Sequence, residues 1–190
     1  MKRFARGLSW LPVALLGVMV LVVSCADSSG PNRKVTKRKP TPRPNLAVAL
    51  KSHPNITWLP KQVSGRFDGA SALDNIRASA AGSSVKRSSY GTAPGGYVPL
   101  DRRMLRAIKR LADQGYRFRV TSLAGGSHSR TSRHYAGLAF DIDLINGRKV
   151  GYSNPHWRTF LRQCEAMGAT ETLGPGDRGH STHLHAAWPR

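Results

Sequence analysis

The sequence predicts an α+β fold, in which a small antiparallel sheet with flanking helices occupies the second half of the chain. Three observations indicate this class: two amphipathic helical patterns, several short strand-like segments, and a strong two-residue hairpin turn between two of them. Helices and strands in irregular order favour an antiparallel sheet over a βαβ repeat. A chain of 190 residues has room for one such domain with extensions.

The first helix and the first strand of this domain are predicted from two successive patterns. Apolar residues recur at helical spacing from Met104 to Ala112, and Gly115 follows as a stop signal. The segment Tyr116 to Leu123 then alternates, with Phe118 and Val120 on one face, which is typical of a half-buried strand.

A hairpin is predicted after a Gly/Ser-rich loop over residues 124–133. Leu138 to Ile145 is apolar apart from two aspartates and is predicted to form a strand. Asn146 and Gly147 favour the left-handed backbone of a two-residue turn, so the chain is expected to return through residues 148–150.

The remaining elements complete the predicted sheet. Asn154 followed by Pro155 predicts the start of a second helix, which ends at Gly168. Thr170 to Leu173 and His183 to Trp188 are predicted as the last two strands, the second of them because it alternates.

The first residues of the chain, 1–24, have the composition of an export signal. A basic start is followed by the apolar run Leu11 to Val23, which is shorter than the roughly twenty residues of a membrane span. The segment Val22-Val23-Ser24-Cys25 resembles the bacterial lipoprotein box. That resemblance implies lipidation of Cys25 and a membrane anchor in the cell envelope, facing the periplasm or cell wall. The alternative is ordinary cleavage near Ala26 and secretion.

Residues 25–45 are predicted to form a basic, proline-rich tether. Six positive charges lie between Arg33 and Arg43 with no acidic residue among them. Such a segment buries too little apolar surface to offset its ordering entropy. Anionic envelope polymers are its expected partners; the alternative is a solvated spacer. Residues 46–94, rich in Gly, Ser and Ala, are predicted to be a partly ordered extension of the domain over residues 95–190.

Composition and charge exclude several classes of protein. Two cysteines, Cys25 and Cys164, are too few for a disulfide scaffold, and one long apolar run excludes a polytopic membrane protein. A net charge of +20 usually indicates a nucleic-acid partner. The export signal and the lack of a nucleic-acid-binding motif argue against that partner. Cys164 lies on the apolar side of the second helix and is interpreted as a core residue.

Several histidines and one aspartate form a candidate metal site. His183 and His185 are two residues apart on a strand and therefore share a face. Asp141, embedded among apolar residues, costs free energy unless it is paired or binds a cation. His134 lies seven residues before Asp141. Together with Asp141 and one histidine of the pair, it offers the three protein ligands of a catalytic zinc site. The alternative is a pair of surface histidines on an edge strand.

The segment Ser132 to Asp141 reads S-R-H-Y-A-G-L-A-F-D and matches the signature SxHxxGxAxD at every fixed position. In this it resembles the M15-type D-Ala-D-Ala metallopeptidases, a superfamily that includes peptidoglycan peptidases and the hedgehog domain. The resemblance covers about residues 100–188. It implies a zinc ion held by His134, Asp141 and His185, and peptidoglycan stem peptides as substrate.

The end of the chain departs from the commonest pattern of this superfamily, because no glutamate precedes the third ligand as general base. The segment His180-Ser-Thr-His183-Leu-His185 instead resembles the HxxHxH ending of penicillin-insensitive murein endopeptidases. It also resembles the HxH of lysostaphin-like enzymes, in which the first histidine serves as base. These resemblances imply that His183 is the general base and that His185 holds the metal.

Polar residues near these ligands have further predicted roles. Arg130 is predicted to be catalytic, by stabilising the oxyanion or gripping a terminal carboxylate, as an upstream arginine does in the family; the alternative is a solvated loop arginine. His128, Ser132 and His180 are predicted to bind substrate. Asp143 is predicted to hold a histidine or an arginine.

Together these patterns predict an exported zinc-dependent peptidase acting on peptidoglycan, as a D,D-carboxypeptidase or an endopeptidase. Two alternatives belong to other classes. One is a non-catalytic, zinc-containing lipoprotein that binds the cell wall. The other is a structural envelope lipoprotein whose basic arm carries its function.

Overall fold

The computed structural model describes residues 45–190. The predicted signal peptide over residues 1–24, the lipidation site Cys25 and almost all of the predicted tether lie outside the described residues. Among the helices of residues 45–190, none is long and apolar enough to cross a membrane.

The described residues form four α-helices, one 3₁₀ helix and eight strands. In chain order these are α1 (Leu46–Lys51), β1 (Ile56–Trp58), α2 (Ala72–Ala80), β2 (Val85–Lys86), β3 (Tyr97–Val98), α3 (Arg102–Asp113), β4 (Phe118–Ser122), the 3₁₀ helix (Arg133–Ala136), β5 (Ala139–Ile145), β6 (Arg148–Lys149), α4 (Trp157–Ala166), β7 (Glu171–Leu173) and β8 (Leu184–Ala187). The α+β class predicted from the sequence is confirmed.

The larger sheet is mixed, so the prediction of a purely antiparallel sheet is wrong at one edge. Its strands lie in the order β1-β4-β5-β8-β7, with β6 paired to β5, while β2 and β3 form a separate pair. β1 runs parallel to β4, with Ile56 opposite Phe118. A parallel pair needs a long crossover, and the chain between these two strands supplies it through α2, β2, β3 and α3.

Helices α3 and α4 cover one face of the central strands. Val120, Ile142 and Leu184 belong to the same buried core as the apolar residues of both helices. Because side chains alternate along a strand, Asp141 and His185, which lie next to these core positions, point to the opposite face. The alternation therefore separates an apolar face from a polar one.

The start of α4 differs from the prediction. The helix begins at Trp157, and Asn154 lies in the turn before it. The Asn154 side chain accepts a hydrogen bond from the His156 amide at 3.0 Å and donates to backbone carbonyls of the β5-β6 hairpin. Asn154 thus ties the hairpin to the helix. Cys164 is buried, as predicted, and burial raises the pKa of its thiol.

The segment over residues 46–94 adds a strand to the larger sheet and supports the loop after β4. The buried Asn75 side chain accepts a hydrogen bond from the Ala124 amide at 2.9 Å and donates to the Lys86 carbonyl at 2.9 Å. α2, which carries Asn75, begins with a capping box between Ser71 and Asp74. This segment therefore positions the loop that leads to the signature residues.

Candidate metal centre

A short 3₁₀ helix brings His134 to the polar face of the sheet. Ser132 caps this helix, because its hydroxyl accepts a hydrogen bond from the His134 amide at 3.3 Å. Gly137 ends it with a left-handed φ of 70°. A Cβ atom at Gly137 would overlap the carbonyl oxygen of Pro99. The serine and the glycine of the signature are thus explained by the turn that holds the histidine.

Gly137→Ala tests this explanation. We expect it to lower the free energy of unfolding by roughly 3 kcal/mol or more, since left-handed backbone costs about 1–3 kcal/mol in other residues and the overlap with Pro99 adds to it. Gly147→Ala is the matched control, because Gly147 has a φ of 78° but a Cβ atom there would meet no other atom within 4 Å. Chemical denaturation of both variants measures the difference. Equal losses of unfolding free energy in the two variants would show that the close contact with Pro99 does not contribute to stability.

Three ligand atoms converge from separate elements. The Nε2 atom of His134 lies 3.1 Å from Oδ1 of Asp141 and 3.1 Å from Nδ1 of His185. The third side of the triangle, between Asp141 Oδ1 and His185 Nδ1, is 2.9 Å. Asp141 on β5 and His185 on β8 are direct cross-strand partners. Ligands of a tetrahedral zinc with bonds of about 2.1 Å lie about 3.4 Å apart, so the triangle is close to the size that one cation requires.

Both histidine rings are oriented by hydrogen bonds on their far sides. His134 Nδ1 donates to the Leu123 carbonyl at 2.6 Å, so in the neutral ring Nε2 carries no proton and can act as a ligand. His185 Nε2 lies 3.1 Å from a carboxylate oxygen of Glu171, which leaves Nδ1 for the site. Outer contacts of this kind are typical of metal-binding histidines. The contact of Glu171 with His185 was not predicted from the sequence. The one indication was that Glu171 lies on the predicted short strand that directly precedes the strand of His185 in the chain.

The charges within this cluster suit a cation. Burial alone would raise the pKa of Asp141, but His134 and His185 hold it well below its ordinary value, so the carboxylate is ionised. Burial alone would lower the pKa of His134, yet the charge and hydrogen bond of Asp141 raise it overall. An ionised carboxylate with two imidazoles in a buried site is a donor set for a metal ion.

His128 is a second candidate for the third metal ligand beside His134 and Asp141. Ligand atoms of His128, His134 and Asp141 lie within 4.8 Å of one another and are close enough to hold a metal ion. The His128 ring stacks on His134 with centroids 4.0 Å apart, and its Nε2 lies 2.9 Å from the Gly125 carbonyl. Burial, reinforced by His134, lowers the pKa of His128 to about 4, so its ring is neutral. Two overlapping ligand sets thus share His134 and Asp141.

His183 and His180 lie beside this cluster. His183 directly precedes β8 and lines, with Asp141, a cavity of about 480 Å³. Burial lowers the pKa of His183, which favours a neutral ring that can accept a proton. The His180 ring lies 4.7 Å from that of His183 and 6.0 Å from that of His185. The structure therefore brings all three residues of the HxxHxH segment together.

Arg130 lies apart from the cluster. It is exposed, and it does not line either cavity described next to Asp141. The arginine that lines the larger cavity is Arg119, which donates to Asp143 at 2.8 Å. The prediction that Asp143 holds an arginine is confirmed, and the catalytic role of Arg130 stays a prediction. Lys149 is a further cation at this cavity.

No family model, curated protein or solved structure matches this chain. Its function is therefore inferred from the metal-capable cluster, from the cavities and side chains around it, and from the sequence signature of residues 132–141.

Proposed function

We propose that the protein is an exported zinc metallopeptidase that hydrolyses peptide bonds in peptidoglycan stem peptides or cross-links. The observation that carries this proposal is the convergence of His134 Nε2, Asp141 Oδ1 and His185 Nδ1, each within 3.1 Å of the other two. The resemblance of the segment Ser132 to Asp141 to the M15-type signature supplies the substrate class. The zinc site then lies on the face of the sheet opposite α3 and α4.

The donor set is one that catalytic zinc uses: two imidazole nitrogens and one carboxylate oxygen, with a position left for water. We assign the third ligand to His185 rather than His128. The Nδ1 atom of His185 is in direct contact with both other ligand atoms, and Glu171 orients its ring.

Zinc, when bound, polarises the scissile carbonyl and makes water a stronger nucleophile. His183 takes the proton of the attacking water and returns it to the leaving amine. Its place in the cavity with Asp141 and its lowered pKa support this role. His128, Ser132 and His180 remain candidates for binding substrate, and Arg130 for gripping a carboxylate.

The predicted location follows from the segments outside the described residues. A lipid on Cys25 anchors the protein to the membrane, and the basic tether over residues 25–45 binds anionic envelope polymers. The excess of Lys and Arg over Asp and Glu in residues 25–190 holds the domain near an anionic cell wall.

Digestion of purified sacculi tests the activity. The zinc-loaded protein is expected to release soluble fragments, and a chelator is expected to stop their release. Mass spectrometry of the products distinguishes free D-alanine, the product of a carboxypeptidase, from separated cross-linked peptides, the product of an endopeptidase. Protein that holds zinc and sediments with sacculi but releases nothing would support the non-catalytic alternative instead.

Glu171→Gln is expected to weaken zinc binding by roughly 10- to 100-fold, because it removes the carboxylate that orients His185. Glu165→Gln is the matched control. Glu165 lies on α4 and accepts a hydrogen bond from Thr172, the neighbour of Glu171 on β7, rather than from a histidine. Competition with a chromophoric chelator measures both affinities. Equal zinc affinities of the two variants would show that Glu171 does not contribute to metal binding through His185.

A further inference from the structure

A second, smaller cavity of about 200 Å³ opens beside Asp141. Its walls come from residues 62–64 on one side and from residues 126–128 on the other. Its lining contains no Lys, Arg or Glu, and its one carboxylate is that of Asp141. Pockets for whole ligands usually measure about 300–1,000 Å³, so this cavity has room for one small residue.

Gln62 in this wall is 3% exposed, and its amide has a fixed orientation. Its Nε2 atom donates to Asp68 at 2.9 Å and approaches the Ser88 hydroxyl at 3.3 Å. Since the Asp68 carboxylate only accepts hydrogen bonds, the amide nitrogen must face it, and Oε1 must face the other way.

Oε1 of Gln62 is therefore turned toward the glycine wall of the cavity. A Cβ atom at Gly126 would lie 3.7 Å from it. Among residues 45–190, no hydrogen bond is formed to this oxygen, and it is not one of the fully buried unpaired side-chain atoms. It is therefore open to the cavity that Gln62 lines, where a donor on a bound ligand can pair with it.

The two cavities adjoin, because both are lined by Asp141, His128 and Val63, so one substrate can extend through both if the proposed function holds. His183 lines the larger cavity and not the smaller one. The leaving amine, which receives the proton from His183, must lie in the larger cavity. The acyl side of the scissile bond then lies in the smaller cavity with Gln62.

We propose that Gln62 Oε1 accepts the backbone N–H of the residue on the acyl side of the scissile bond, and that this subsite admits a small, uncharged side chain. In stem peptides an alanyl residue meets both conditions. It lies on the acyl side of the terminal D-Ala-D-Ala bond and also of the cross-link formed through D-alanine. One subsite therefore serves carboxypeptidase and endopeptidase cleavage alike.

Two synthetic probes test the subsite. The first is diacetyl-lysyl-D-alanine carrying the leaving amine that sacculi digestion identifies, either D-alanine or a side-chain amine. The second replaces the acyl-side D-alanyl residue by D-lactyl, so an ester oxygen stands where the N–H was and the scissile amide is unchanged. We expect kcat/KM of the wild type to be about 10-fold lower for the second probe than for the first, as expected for the loss of one hydrogen bond.

Gln62→Met should lose this discrimination and cleave both probes at similar, reduced rates. Gln114→Met is the matched control, because Gln114 lies exposed at the end of α3 and lines neither cavity, and it should discriminate as the wild type does. Zinc content and thermal melting establish that each variant is folded. The comparison of the two probes with the wild-type protein does not depend on a variant. The proposal can therefore be overturned even if Gln62→Met does not fold.

Two failures are distinguishable. Cleavage of both probes by the wild type at equal rates would overturn the role of Gln62 and leave the peptidase activity standing. Failure to cleave sacculi and both probes, in protein that holds zinc, would overturn the proposed function and this inference with it.

Discussion

His183→Ala is expected to lower the rate of stem-peptide hydrolysis by roughly 10²- to 10⁴-fold while the protein keeps its zinc. The three atoms of the metal triangle come from His134, Asp141 and His185, and removal of the His183 ring leaves all three in place. The general base is lost, and no acidic residue precedes His185 in the segment 181–184 to replace it.

The measurement pairs muropeptide release from sacculi with elemental analysis of the same preparation. His156→Ala is the matched control, since His156 lies before α4 and makes no contact with the histidine cluster through its ring. It should keep both zinc and activity. A His183→Ala protein that loses its zinc would show that His183 is a ligand and not the base.

The signature residues could be predicted from sequence because their geometry is local. Ser132 caps the turn that carries His134, and Gly137 closes that turn within five residues. Both Asp141 and His185 lie on strands that the sequence predicts, and strand alternation assigns each of them a face. The pairing of β5 with β8 then sets Asp141 opposite His185, which the sequence alone did not predict. The chemistry of the centre is therefore encoded in two short segments.

The supports of the centre could not be predicted, because they come from elements that no local pattern joins. Glu171 reaches His185 only through the pairing of β7 with β8. Gln62 lies in a segment without helical or strand periodicity, and a network with Asp68 and Ser88 sets its orientation. The parallel pairing of β1 was missed for the same reason, since its three residues give too short a pattern.

His185→Ala is expected to abolish zinc binding and hydrolysis together, which is the largest effect of any single substitution proposed for this protein. The variant removes one of the three assigned ligand atoms, so zinc stays bound only if His128 completes the set with His134 and Asp141. Zinc binding also stabilises the folded state, by about 2.7 kcal/mol when the free ion is at 100 times its Kd. Addition of zinc should therefore raise the Tm of the wild type and leave that of His185→Ala unchanged.

Thermal melting with and without zinc also decides between the two overlapping ligand sets. With His185 as the third ligand, His128→Ala keeps most of the zinc-induced rise in Tm, because His128 Nε2 is engaged by the Gly125 carbonyl rather than by the triangle. A zinc-induced rise that survives in His185→Ala and disappears in His128→Ala would move the third ligand to His128. Asp141→Asn must lose the rise in either case, since Asp141 supplies the only anionic donor to both sets.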